Sequence, residues 1–200
     1  YGDQIFAAAI YNNIANCYMQ KIEFGLAVQY FSIAATALHQ NFPQGHPDLA
    51  QMHNSMGICY IRQGFLDSAQ QHCRLSLESL QLIKQSRGVA YTQILRTQAE
   101  ILLQKGAIDQ SGAVLQKALN ALGYRTGQTL WGNEITREVM EILAQQGQSW
   151  KAAAISTTNK SKALLLQKKA AEVNLEALRL MAFLRRQINS IDARQFWLQE

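Results

Sequence analysis

The chain repeats itself every 42 residues, and this constrains its fold more than any other feature. Tyr11-Asn-Asn-Ile-Ala-Asn-Cys-Tyr18 aligns with His53-Asn-Ser-Met-Gly-Ile-Cys-Tyr60, and 42 residues further on lies Leu95-Arg-Thr-Gln-Ala-Glu-Ile-Leu102. A small residue recurs as Ala15, Gly57 and Ala99. A large one follows three places later as Tyr18, Tyr60 and Leu102. The second half of each unit keeps the register: Ala27, Ala69 and Ser111; Phe31, Cys73 and Leu115; Ala34, Ser76 and Ala118; Leu38, Leu80 and Leu122. Apolar positions three and four apart in both halves predict two amphipathic helices per unit. The small columns let neighbouring helices approach, and the large ones fill the space between. A unit of this kind cannot bury its apolar face alone, so the units must stack.

Gly64 and Gly106 stand between the two helices of their units, where a left-handed residue suits the turn. Ile22 takes that place in the first unit, so its turn is expected to differ. A fourth unit is expected from Gln146-Gly147, at an offset of 41 from Lys105-Gly106. Ile135, Val139 and Leu143 form the stripe ahead of it, and Trp150 and Ala152–Ile155 open a helix behind it. Thr157-Thr158-Asn159 then interrupts that helix, because β-branched residues and Asn disfavour it.

Composition agrees with an all-helical reading. The 2 prolines, Pro43 and Pro47, share one short segment, so the regular turn signals of a many-stranded β fold are missing. No apolar run approaches the roughly 18 residues of a membrane span. Cys17, Cys59 and Cys73 are odd in number and form no CxxC, which fits a reducing compartment and a cytoplasmic location. The chain opens at Tyr1 without a signal-like region and is expected to be excised from something longer. The net charge of +5 is unevenly spread: residues 1–150 carry ten basic and ten acidic residues, and 151–200 carry nine and four.

The repeated columns resemble the tetratricopeptide repeat, and the 42-residue unit resembles its kinesin light chain type. Asn12-Asn13-Ile-Ala is similar to the Leu-Asn-Asn-Leu-Ala core of that subgroup. His46-Pro47-Asp48-Leu49-Ala50 is similar to the His-Pro-Asp segment that opens its repeats. The resemblance covers roughly residues 4–156. It implies an all-α solenoid, a right-handed superhelix of antiparallel helix pairs. The units are expected at about 4–45, 46–87, 88–129 and 130–159, with a C-terminal helix and tail over 160–200. Pro47 suits the first turn of a helix, where its missing N–H costs nothing, and Asp48 suits the positive helix end.

The resemblance also implies a concave groove lined by the first helix of each unit. Its positions are Asn12, Asn13, Asn16 and Met19 in unit one, and Asn54, Ser55, Ile58, Ile61 and Arg62 in unit two. Arg96 and Glu100 represent unit three, and Arg137 unit four. Asn can donate and accept at once, which suits it to a peptide backbone, and Met19, Ile58 and Ile61 supply apolar pockets. The family's clamp for an acidic C-terminal tail needs cations. Here the matching positions are Asn12, Asn16, Ser55, Gln93 and Thr97; only Asn16 keeps the pattern, so a doubly charged terminus would go unneutralised.

Catalytic and metal motifs are not apparent in the sequence. His39, His46 and His53 are seven apart, but without a partner Cys or Asp at ligand spacing they do not make a metal site. No phosphate-binding loop, GxSxG or HExxH occurs. No cofactor and no small-molecule substrate are implied. Residues 160–188 carry two apolar stripes: Leu166, Ala170, Val173, Ala177, Leu180, Leu184 and Ile188, and beside it Leu164, Ala171, Leu175, Leu178 and Ala182. So wide a stripe is expected to be buried, as a cap on the last unit or in self-association. The function expected is a non-catalytic scaffold or adaptor that binds a protein or peptide. The alternatives are nucleic-acid or anionic-surface binding through the basic C-terminal helix, and a helical appendage of a larger enzyme.

Overall fold

The structure, a computed structural model, describes residues 2–127 and 133–197, with side chains described for 5–127 and 134–186. The chain divides into two compact units, Tyr1–Ala107 and Ile108–Glu200. Among the described residues every regular element is a helix.

The first unit holds α1 (Gly2–Gln20), α2 (Phe24–Asn41), α3 (Pro47–Arg62), α4 (Leu66–Leu82) and α5 (Val89–Gln104). α1 pairs with α2 and α3 with α4; α2 packs on α3, and α5 on both α3 and α4. The repeated small columns sit at these contacts. Ala15, Ala27, Ala34, Ala69, Ser76 and Ala99 are fully buried, as are Phe31 and Leu80 of the large columns. A Cβ on Gly57 would lie 3.5 Å from the Ala69 carbonyl and 3.7 Å from Thr97, so the second unit's small residue sits against both α4 and α5. Burying a side chain the size of Phe31 or Leu80 contributes about 1.5–3 kcal/mol.

The connections are equally regular. His46 caps α3, its Nδ1 accepting from the Asp48 N–H at 3.2 Å, and Pro47 occupies the first helical position as expected. The turn after α3 is closed by three bonds, Gln63 N–H to Cys59 O, Gly64 N–H to Ile61 O and Phe65 N–H to Tyr60 O. Lys105, Gly106 and Ala107 repeat the pattern after α5, and Lys21, Ile22 and Glu23 repeat it after α1. The turn expected to differ in the first unit therefore does not. Ile22 takes the left-handed conformation at φ 66°, beside 81° for Gly64 and 78° for Gly106. The turn's hydrogen bonds, and not its residue, set the backbone there.

One more column runs through these hairpins. Tyr30 stacks between Tyr11 and Tyr18, with centroids 6.2 and 5.3 Å away. Forty-two residues later His72 takes the place of Tyr30, facing His53 at 5.4 Å and Tyr60 at 5.3 Å. The ring nitrogens His53 Nδ1 and His72 Nδ1 are 3.2 Å apart. Burial drives His53 down to about 4, with the neighbouring His72 and His39 adding to the shift; burial lowers His72 as well.

The second unit holds α6 (Ile108–Ala121), α7 (Asn133–Ser156) and α8 (Lys160–Trp197). The turn expected at Gln146-Gly147 is absent, and α7 runs straight through it for 24 residues. Gly147 serves close approach instead, since a Cβ there would come 2.5 Å from Asn174 Oδ1 on α8. The break at Thr157-Thr158-Asn159 is real, and Asn159 Oδ1 caps α8 by accepting from the Lys162 N–H at 3.0 Å. α8 packs along α7, with Lys169 Nζ 5.9 Å above the Trp150 ring. Glu176 ties the segment after α6 to α8. It accepts from the Tyr124 hydroxyl, from the Gly127 N–H at 2.8 Å and from two Arg179 nitrogens at 2.9 Å. The Arg179 guanidinium, with these other donors, draws Glu176 down to about 2, and burial and the adjacent carboxylate push the Tyr124 hydroxyl up.

Of the two stripes expected to be buried on α8, the first is covered in full or in part over its described residues, with Ile188 lying outside them, and the second is not. Ala170 and Leu180 are fully covered and Leu166, Val173, Ala177 and Leu184 half-covered, whereas Leu164, Leu175 and Leu178 stand 68%, 69% and 59% exposed.

Candidate protein-interaction groove

The first helix of each repeat presents an accessible row. On α1 it is Ala9, Asn13, Asn16 and Gln20; on α3, Gln51, Ser55, Ile58 and Arg62; on α5, Gln93, Glu100 and Gln104. The spacing of four, three and four on α1 and α3, and of seven and four on α5, where the intervening Thr97 is buried, puts each row on one face of its helix. The rows of α1 and α3 are in 42-residue register, and α5 keeps it at Gln93, Glu100 and Gln104 but departs from it at the buried Thr97.

Two of the expected groove residues are not on this surface. Asn54 is 7% exposed and Ile61 3%, and Ile61 packs with Ile94, Ile101, Ala69 and Leu80 in the core. Both face the neighbouring helix because α5 lies beside α3, and positions seven apart on a helix share a side. Asn54 Oδ1 is buried with no hydrogen-bond partner among the described residues, an arrangement that costs about 1–3 kcal/mol. Asn12 and Met19, the equivalents of Asn54 and Ile61 in the first repeat, are half-buried, as is Arg96. Arg137 is exposed on α7 in the second unit.

Charge on this face is local and paired. Arg62 Nη1 on α3 lies 3.4 Å from Glu100 Oε1 on α5, joining two residues that the sequence placed in the groove separately. The pair is partly exposed, Arg62 more than Glu100, so its contribution to stability is about 0–1 kcal/mol. Its consequence is chemical: the α3–α5 part of the surface offers one donor group and one acceptor group without net charge. Between them and the asparagines, Ile58 is the half-exposed apolar side chain. Such a surface can accept and donate to a peptide backbone while holding one apolar side chain.

The sequence reading missed His72, the partner of His53. The repeat itself carried the signal, because His72 is the 42-residue counterpart of Tyr30. Among the described residues no three His, Cys, Asp or Glu gather to hold a metal ion, and no helix is long and apolar enough to cross a membrane.

The arrangement of paired helices, small-residue contacts and recurring turns matches a known architecture. The crystal structure of BtubC (BKLC) from P. vanneervenii, a kinesin-light-chain-like helical-repeat protein, superposes with a TM-score of 0.69 at 15% identity. The fold is a tetratricopeptide-type helical repeat. The match covers 89% of this chain and 64% of that one, so the chain spans less than two thirds of that structure's length. No family model and no curated protein matches the sequence.

Proposed function

We propose that the chain is a non-catalytic, kinesin-light-chain-like interaction scaffold that holds an extended peptide or a partner helix on the accessible rows of α1, α3 and α5. The observation that carries this is the register. Polar side chains stand outward at corresponding places of the repeats: Asn13 and Ser55 are 42 residues apart, and Asn16 and Glu100 are two repeats apart with the apolar Ile58 between them. Thr97, the third-repeat counterpart of Ser55, and other positions of the same helices are consumed by packing. A row kept polar on both donor and acceptor sides suits a ligand whose backbone is read more than its charge. Ile58 supplies a shallow apolar contact, and the neutral Arg62–Glu100 pair limits attraction for either sign of charge. The groove reading rests on Asn12, Asn13, Asn16, Met19, Ser55, Ile58, Arg62, Arg96 and Glu100 of the first unit; Asn54 and Ile61 are buried and are not part of it.

The test is a random-peptide display selected on the whole chain. Peptides so obtained should bind the variant Asn13→Ala/Asn16→Ala/Ser55→Ala/Ile58→Ala about tenfold more weakly or worse, a loss of about 1.4 kcal/mol. They should bind a control with exposed α2 changes, Gln29→Ala/Thr36→Ala, unchanged. Retained affinity in a quadruple variant of normal helicity refutes the groove assignment.

A further inference from the structure

The unburied stripe of α8 has the pattern of a helix-docking seam. Leu164, Ala171, Leu175, Leu178 and Ala182 are spaced seven, four, three and four apart. That is the 3.5-residue repeat of a coiled-coil seam, with Leu164, Ala171 and Leu178 at one seam position and Lys168, Leu175 and Ala182 at the other. The seam lies opposite the face that α8 buries: at 100° per residue, Leu164, Leu175 and Ala182 point about 180° away from Val173, Leu166 and Leu184. The leucines of this seam are well over half exposed, and Leu165 and Met181 beside it are 53% and 38% exposed. Nothing among the described residues of the second unit covers them. Contiguous apolar exposure of this kind marks an interaction surface.

Charge states what kind of partner fits. Between Lys160 and Arg186 there are seven basic residues and two acidic ones. Arg179 and Glu176 are already bound to each other. The remaining cations are Lys160, Lys162, Lys168, Lys169, Arg185 and Arg186, with Glu172 the remaining carboxylate. Lys168 is the decisive one, because it stands within the seam itself at a position that meets its own counterpart in a parallel pair of identical helices. Two copies would bring two ammonium groups together there, whereas a carboxylate from a different helix would pair with Lys168. Flanking charges of this type set partner choice and orientation in helix pairs.

We propose that the exposed face of α8 docks an amphipathic partner helix whose apolar stripe is flanked by acidic residues. This surface is in the second unit and does not depend on the groove of the first, so either can fail without the other.

The test uses the full chain and two designed helical peptides with leucine at both seam positions. One carries glutamate at the flanking positions and the other lysine at the same places. Titration calorimetry should show binding of the acidic helix and not of the basic one. Leu175→Glu/Leu178→Glu changes exposed positions only, and should weaken binding by about tenfold or more while leaving the circular dichroism unchanged. Lys168→Glu should reduce affinity for the acidic helix and raise it for the basic one. Equal binding of both helices, or acidic-helix binding indifferent to Leu175→Glu/Leu178→Glu, overturns the proposal. So does sedimentation showing that the chain alone forms a dimer which that variant dissociates. Binding to phosphatidylserine vesicles without binding to the acidic helix would also overturn it, in favour of a lipid surface.

Discussion

Ile22 offers a direct measurement of how firmly the repeat imposes its turn. It stands at φ 66° in a place where the next two repeats have glycine, and its side chain is 74% exposed. A β-branched residue held in the left-handed region costs on the order of 1–3 kcal/mol, and about 2 is a reasonable value for isoleucine. Replacing it with glycine removes that strain. Against the gain stand the quarter of the side chain that is covered, about 0.5 kcal/mol, and the greater freedom of glycine in the unfolded chain, about 0.5–1 kcal/mol. Ile22→Gly should therefore stabilise the protein by about 0.5–1 kcal/mol and raise the melting temperature by about 2–3 °C. Gly64→Ile is the reciprocal change. A Cβ at Gly64 would meet nothing within 4 Å, so its effect is conformational and should be a loss of about 1 kcal/mol. Urea denaturation followed by circular dichroism measures both, with the slope unchanged in each case. If Ile22→Gly is neutral or destabilising while Gly64→Ile is tolerated, the turn is not under conformational control and the reasoning fails.

Two further outcomes are expected. Gly147→Ala alone should destabilise by about 1–3 kcal/mol through contact with Asn174, whereas Gly147→Ala/Asn174→Ala should recover the roughly 1 kcal/mol that alanine gains over glycine inside a helix. A turn at Gly147 predicts instead a loss that Asn174→Ala does not rescue, so urea melts of the two variants decide between them. His53 and His72 should make the protein acid-labile. The folded state holds His53 at about 4 and the unfolded chain near 6.5, so between these values the unfolded state binds more protons. The stability is complete above about pH 6.5 and is lost as pH falls towards 4. After screening of a half-buried group the loss is about 1–2 kcal/mol. Restoring the tyrosines of the first repeat, as His53→Tyr/His72→Tyr, should flatten the urea midpoint across this range; an unchanged pH dependence would assign the acid lability to other groups.

The fold was legible because packing columns speak through residue size. Ala27, Ala69 and Ser111 recur where helices touch, and no other arrangement of the chain requires small residues at that interval. The groove was only partly legible for the same reason. Sequence spacing marks the face of a helix but not the neighbour that covers it. Asn54 and Ile61 look like their accessible neighbours in a list and differ only because α5 lies against that side of α3. Gly147 misled because glycine has two uses, a left-handed turn and close approach, and only the position of Asn174 separates them. The second stripe of α8 looks buried in the sequence because hydrophobicity records a preference for a partner without saying whether one is present.

The aromatic residues divide unevenly between the two units, and this gives the molecule its own optics. Trp131, Trp150 and Trp197 all belong to Ile108–Glu200, while six of the seven tyrosines, Tyr1, Tyr11, Tyr18, Tyr30, Tyr60 and Tyr91, belong to Tyr1–Ala107. Emission excited at the red edge, where tyrosine does not absorb, comes from the second unit alone. The stacked Tyr11–Tyr30–Tyr18 group reports on the first through its near-ultraviolet dichroism. Each unit can thus be followed in the intact, unlabelled chain, and a denaturation curve recorded by both signals shows directly whether they unfold as one cooperative body or in two steps.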